Sequence, residues 1–298
     1  EVIVTELDHH ANIDPWRWLA KERDLVVETV KLLPAAGELD WDQFDKAIGS
    51  KTRLIAIGAA SNALGTINDV SRIVRKAREV GALVFVDAVH YVPHGLIDVQ
   101  ALDCDFLAMS AYKFYGPHVG VLYGKRDLFE TIEFPKLLPA PDYAPENAET
   151  GTQNQEGMVG TGAAIDFLAS LGGTGSRRRR LTAVYSEVHE RNAVLIKRLW
   201  DGLAMIRKVH LYGPAPGSSL RTPTISFTVE GCASSEVARR LASKALFLSH
   251  GDFYAATVVQ RLQLGEEGLV RAGCACYTTE EEVERLIAGV AEVAASTC

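Results

Sequence analysis

Cysteine is scarce in this chain. Five occur in 298 residues, at positions 104, 232, 274, 276 and 298, an odd count without metal-ligand spacing that reads as reduced, intracellular usage. Positive charge is also in short supply: 31 Lys and Arg against 38 Asp and Glu leave a formal net charge of -7, which argues against nucleic acid or another polyanion as partner. The one basic run, Arg177 to Arg180, lies in a Gly/Ser-flanked stretch and reads as the solvated start of a helix. No apolar run approaches the ~20 residues needed to span a bilayer, so a soluble, cytoplasmic protein is expected. Familiar catalytic signatures are missing too. "GTGAAI" at 160–165 lacks the third glycine of a dinucleotide turn, and "HERNA" at 189–193 lacks the second histidine of a zinc helix. Neither a nucleophile elbow nor a P-loop occurs.

What the sequence does have is alternation. Short apolar runs such as "VIVTE", "RLIAIGAA", "LVFVDA" and "DFLAMSA" are separated by amphipathic stretches such as "DVSRIVRKAREVG". Continuous apolar strands divided by helices predict an α/β fold with a mainly parallel sheet covered on both faces. Asp69 is the predicted N-cap and Gly81 the predicted C-terminal stop of one such helix; Thr278 or Thr279 is the predicted cap of the last one. A Gly-rich region from 140 to 180 carries little strand signal. A long helix pattern then leads into a second run of alternating elements. The expected organisation is a large domain over 1–207 and a smaller C-terminal α+β domain over 208–298; the whole chain's composition, 47% hydrophobic and 23% charged, allows both.

Polar residues recur at the ends of the predicted strands. His9 and His10 follow the first, Asn62 follows "RLIAIGAAS", Asp87 and His90 follow "LVFV", and Ser110, Tyr112 and Lys113 follow "DFLAM". The carboxyl ends of parallel strands form the ligand crevice of an open sheet, so this recurrence marks a site. Taken singly, His10 or His94 reads as a structural histidine, Asp87 as a helix cap and Lys113 as a surface lysine. Lys113 stands out because a primary amine at the end of a buried run would be costly as an ammonium. A metal site built from His9, His10, His90 and His94 is a minor alternative.

"TELDHHANIDPW", "ASNALGTIN", "VDAVHYVPH" and "DFLAMSAYKFYGPHVGVLYGK" resemble successive blocks of the class V aminotransferase group of fold type I pyridoxal-phosphate enzymes, in its cysteine desulfurase-like branch. The likeness runs in order from residue 1 to about 295 and includes "ETGTQN" and "LVRAGCACYTTEEEVERL". It implies that Lys113 condenses with the aldehyde of pyridoxal 5'-phosphate and later moves the substrate proton. It implies that Asp87 keeps the pyridine nitrogen protonated, so the ring can act as an electron sink. It further implies that His9 stacks on the ring, that His90 and Asn62 reach the ring hydroxyl side, and that Ser110 and Tyr112 meet the phosphate. Tyr112 stands where the family has histidine. Thr152 corresponds to a residue reaching the phosphate of the other subunit in a homodimer. Arg271 corresponds to the arginine that clamps the substrate carboxylate.

Two departures accompany the resemblance. Desulfurases of this branch hold a persulfide-forming cysteine on a loop before the final strand, whereas "LSHGDFYAATVV" has none and sets Phe253 and Tyr254 there. The resemblance further implies an N-terminal segment with a phosphate-holding turn, which the sequence, expected to be a truncated chain, does not include. The expected function is therefore a pyridoxal-phosphate enzyme acting at Cα and Cβ of an amino acid, desulfurase-like or a C–S lyase without the loop cysteine, with a sulfur or amino acceptor. A class V aminotransferase is the first alternative and a catalytically inert relative the second.

Overall fold

The apolar runs become strands whose burial explains their composition. In this computed structural model, which describes residues 1–149, 151–218 and 220–296, every residue of the strand Val2–Thr5 is buried, as are four of the five in Leu54–Gly58. Strands buried on both faces have no reason to alternate with polar residues, hence "VIVT" and "LIAIG". Their sheet has the order Val27–Val30, Val2–Thr5, Leu54–Gly58, Leu83–Asp87, Phe106–Ser110, Gly120–Gly124. All neighbours are parallel except the last pair, where Phe106 faces Gly124 in antiparallel register. Gly58 lies beside Asp87 and Asp87 beside Ala108. The carboxyl ends of the central strands therefore reach one common edge.

Helices are terminated as the sequence predicts. Asp69 caps Val70–Val80 by accepting from the Arg72 amide at 2.8 Å, and Gly81 ends it at φ 70°, a conformation that favours glycine. Thr279 and Glu282 form a capping box at the start of Glu280–Ala295. Arg177 opens the helix Arg177–Ala204, with Ser176 as its cap. Its arginines are largely solvated and pair with surface carboxylates, Arg177 with Asp166 and Arg178 with Asp98.

A second, antiparallel sheet has the order Ser249–Gly251, Leu269–Gly273, Thr224–Val229, Val209–Tyr212. Phe227, Ile225 and Val270 fill its core together with Leu195, Leu199 and Leu203 from the C-terminal half of Arg177–Ala204. The other half of that helix meets the large sheet's side, the Tyr185 hydroxyl donating to the Val92 carbonyl at 2.9 Å. Ala255, Val258 and Val259 cross back and bury themselves in the large core with Ile57 and Leu64. Among the described residues no helix is long and apolar enough to cross a membrane.

Three elements differ from expectation. The run "LVRAGCACY" reads as one strand that would set Cys274 and Cys276 on a common face, but it is strand only through Gly273, so buried Cys274 and half-buried Cys276 follow it. The helix Gln155–Ser170 arises inside the Gly-rich region, where glycine lowers helix propensity. Its glycines serve close packing: a Cβ on Gly157 would sit 2.5 Å from Val119, and one on Gly160 3.2 Å from Pro117. Finally, Cys104, Cys274 and Cys276 are free thiols, but Cys232 is disulfide-bonded, so cysteine usage is not uniformly reduced.

Candidate active site

The edge where the parallel strands end faces the second sheet across an open cleft of about 1550 Å³. His9, Asn62, Asp87, His90, Ser110, Tyr112, Lys113 and Arg271 all line it. Thr152 does not; it is exposed on the loop preceding Gln155–Ser170.

Asp87 ends its strand with one carboxylate oxygen accepting from the Val89 amide at 2.9 Å. Burial pushes this carboxyl above the usual range, against the opposing pull of that amide and of His9. An arriving cation would reverse the shift, because an opposite charge favours the ionised form. His9 follows the first strand and accepts from the Ala11 amide at 3.0 Å through Nδ1, which fixes its ring. Burial lowers its pKa, so the ring is neutral at physiological pH.

Lys113 lies in a turn, Ala111–Phe114, directly after the strand Phe106–Ser110. Its side chain is exposed to the cleft rather than buried, so the desolvation cost expected for it does not arise. The ammonium rests over the Tyr112 ring at 4.9 Å, and Tyr112 in turn stacks on His118 at 4.9 Å. Neither Lys113 nor Arg271 enters an ion pair among the described residues. Both cations are available to a ligand.

Arg271 projects from the small sheet, donates to the Asn62 carbonyl at 2.7 Å and lies 4.1 Å over the Phe253 ring. Asn62 donates from Nδ2 to the Phe253 carbonyl at 2.8 Å, while its Oδ1 is buried without a partner. An orphaned buried oxygen at a cleft is a group waiting for a donor. His90 is held differently from the resemblance alone. Its Nε2 is taken by the Thr222 hydroxyl at 3.0 Å and lies 3.3 Å from that of Thr224, leaving one ring nitrogen for a ligand. Burial holds His90 well below the ordinary imidazole value and brings His94 down to about 4.

No histidine metal cluster is assembled. His10 turns away to Asp14 at 2.9 Å, His90 to Thr222, and among the described residues no group of three or more ligating side chains is placed to hold an ion.

Asp8 and Tyr115 escape sequence reasoning, and so do the backbone conformations of Phe253 and Tyr254, the aromatics noted in the loop. Asp8, 2% exposed, sits behind His9 and Asp87, accepting from the Gly58 amide at 2.8 Å and from Asn12 Nδ2 at 3.1 Å. Burial, with Asp87 nearby, pushes its carboxyl up to about 7. Tyr115, at φ 69°, lines the cleft wall and accepts from the Cys276 amide at 3.4 Å. Phe253 and Tyr254 adopt φ 56° and 59° in succession, uncommon for bulky side chains. Only a pairing of Asp8 with the histidines in "LDHH" hinted at the first; nothing in the sequence announces the other backbone conformations.

The chain matches the family model for Aminotransferase class-V over residues 1–286. It is similar to the cysteine desulfurase of Pectobacterium carotovorum subsp. carotovorum strain PC1, 34% identical over 98% of this chain and 70% of that protein. That of Dickeya dadantii strain 3937 is also 34% identical, over 97% of this chain and 69% of the other. Among solved structures, the cysteine desulfurase CsdA from Escherichia coli superposes with a TM-score of 0.84 at 28% identity, covering 98% of this chain and 71% of that one. Apo cysteine desulfurase from Thermococcus onnurineus NA1 gives 0.87 at 30% identity, covering 98% and 72%.

Proposed function

This chain belongs to the class V aminotransferase family, and from that premise we propose that it is a pyridoxal-phosphate enzyme, desulfurase-like in lineage, that cleaves the C–S bond of an amino acid. When bound, the cofactor supplies an aldehyde to hold the substrate amine and a ring to take up the electron pair left at Cα. The donor set fits such a group: a free lysine amine, a carboxylate at the cleft floor, a neutral histidine ring and the unpartnered Asn62 oxygen.

Lys113 is the covalent anchor and the base that moves the Cα proton. Asp87 stabilises a positive ring nitrogen, and His9 lies against the ring. Asn62 and His90 serve the ring hydroxyl, and Ser110 and Tyr112 the phosphate. Arg271 holds the substrate carboxylate through its fork of N–H donors. Thr152, exposed on this chain, serves the phosphate of a second copy; Met158, Val159 and Phe167 on the neighbouring helix are exposed and apolar, as a homodimer surface would be. We also keep the division into 1–207 and 208–298, supported by the change of sheet.

One observation carries the choice of a lyase over persulfide transfer to the protein. Among the described residues the only thiol lining the cleft is Cys274, buried and with its pKa pushed up to about 11 by desolvation. A neutral thiol is a poor sulfur acceptor. A lyase releases its sulfur product to solvent and needs no protein thiolate.

The test is borohydride reduction of the protein mixed with pyridoxal phosphate, followed by peptide mass mapping. A visible band that is lost on reduction, with the pyridoxyl mass on the Lys113 peptide and absent in Lys113→Ala, is expected. A colourless protein without adduct would refute the cofactor reading.

A further inference from the structure

Two adjacent aromatic residues in left-handed backbone are a strained arrangement, and such strain persists only where surrounding contacts fix it. Here they do so on several sides. The Phe253 carbonyl accepts from Asn62 at 2.8 Å, the Tyr254 carbonyl accepts from the His10 amide at 2.7 Å, and the Tyr254 amide donates to Asp252 at 2.9 Å. The next residue, Ala255, is fully buried in the large core. The conformation sends both rings into the cleft. The Arg271 guanidinium lies 4.1 Å over the Phe253 ring, and Tyr254 sits 5.4 Å from the His9 ring while 75% exposed.

Building on the carboxylate role of Arg271, we infer that Phe253 and Tyr254 form a specificity wall for a substrate whose β-substituent is large and apolar, most simply an aromatic thioether of cysteine rather than free cysteine. Phe253 presets the guanidinium, and the uncovered Tyr254 ring is a stacking surface lining the same cleft. An acidic side chain would require a second cation on this wall; Arg285, exposed and donating to the Lys244 carbonyl, also lines the cleft, so succinate is the probe that separates the two substrate classes. With a thioether the chemistry balances without any acceptor. The Cα proton passes to Lys113, and the Cβ–S bond breaks with its electron pair leaving on sulfur. The thiolate gains a proton to become a thiol, and water converts the remaining fragment to pyruvate and ammonium. Nothing is oxidised or reduced overall.

The decisive measurement is calorimetric binding of 3-phenylpropanoate, propanoate and succinate to the chain without cofactor, since each probes Arg271 and its surroundings alone. 3-Phenylpropanoate should bind at least about tenfold more tightly than propanoate, in line with an aromatic contact plus the area it buries. Arg271→Ala should weaken both. Tyr254→Gly, which suits φ 59°, should erase the preference while leaving propanoate binding and the far-UV dichroism unchanged. Equal binding of the two, or tightest binding of succinate, would overturn the aromatic wall and leave the Arg271 reading intact. Binding of none would overturn the Arg271 reading and the wall with it. With pyridoxal phosphate added, S-benzyl-L-cysteine should yield equal amounts of benzyl mercaptan and pyruvate, faster than cysteine yields sulfide. Intact aromatic preference without thiol release would overturn the thioether assignment.

Discussion

The two walls of the cleft are built on different principles. On the large-sheet side, Asp87, Ser110 and Lys113 stand at or just beyond strand ends, with Lys113 free in the cleft and Asp87 held by a single backbone amide. On the other side Arg271, Phe253 and Tyr254 are tied to one another, to Asn62 and to His10 by hydrogen bonds and ring contacts. Groups that exchange protons and bonds need freedom and an unspent charge. Groups that select and orient need a fixed geometry, because a misplaced clamp loses the benefit of proximity.

If that division is right, damage to each wall should have a distinct signature. On the proposed role of Asp87, Asp87→Ala should abolish turnover, because among the described residues it is the carboxylate that ends a parallel strand in the cleft, while binding of carboxylate probes to the cofactor-free chain stays unchanged. Loss of probe binding in that variant would show that the walls are not independent.

Asp8 supports the reactive wall from behind, and its effect should appear in stability. Its carboxyl moves from the ordinary 3.8 to about 7 on folding. Between those values the folded protein keeps a proton that the unfolded chain has released, so stability falls as pH rises through this window and levels off above it. The full change is up to about 4 kcal/mol. Asp8→Asn should flatten the slope of the urea-unfolding free energy between pH 4 and 7. The same slope in both proteins would remove Asp8 as its source.

On the selective wall, Arg271→Ala should raise the Michaelis constant for amino acids by more than about tenfold, a charge-assisted pair being worth about 1.5–3 kcal/mol. The lysine adduct with pyridoxal phosphate should still form. Arg271→Lys, which keeps the charge but not the fork, should lie between. An unchanged constant in Arg271→Ala would move the carboxylate site elsewhere.

The same division explains what could be read in advance. Parallel strands bring their carboxyl ends to one edge, so polar residues after "LVFV" and "DFLAM" could be gathered into one site without knowing any angle. The exposure of Lys113 could not, because it depends on the second sheet standing off across the cleft. Nor could the Phe253 and Tyr254 conformations, which rest on hydrogen bonds from Asn62 and His10, residues 191 and 244 positions away in the chain. Asp8 passed unnoticed beside two histidines, and the helix Gln155–Ser170 was masked by glycines whose value lies in packing against Pro117 and Val119.

A seam joins the walls, and it offers the finest test. Thr222, fully buried, donates its amide to the Gly65 carbonyl at 2.7 Å and meets His90 Nε2 through its hydroxyl at 3.0 Å. Thr222→Val keeps the shape and the amide bond but removes the hydroxyl, leaving His90 with Thr224 at 3.3 Å. The loss of the hydroxyl's bond to His90 and of its 3.3 Å bond to the Gly65 carbonyl should cost about 1–3 kcal/mol of stability. If His90 matters only as part of the seam, the visible spectrum with pyridoxal phosphate should not move. If its orientation serves the ring hydroxyl, the position and pH dependence of that band should shift even though every group proposed to touch the cofactor is still present. A spectral change without a change in the Michaelis constant would assign the seam to the reactive wall; the reverse would assign it to the selective one.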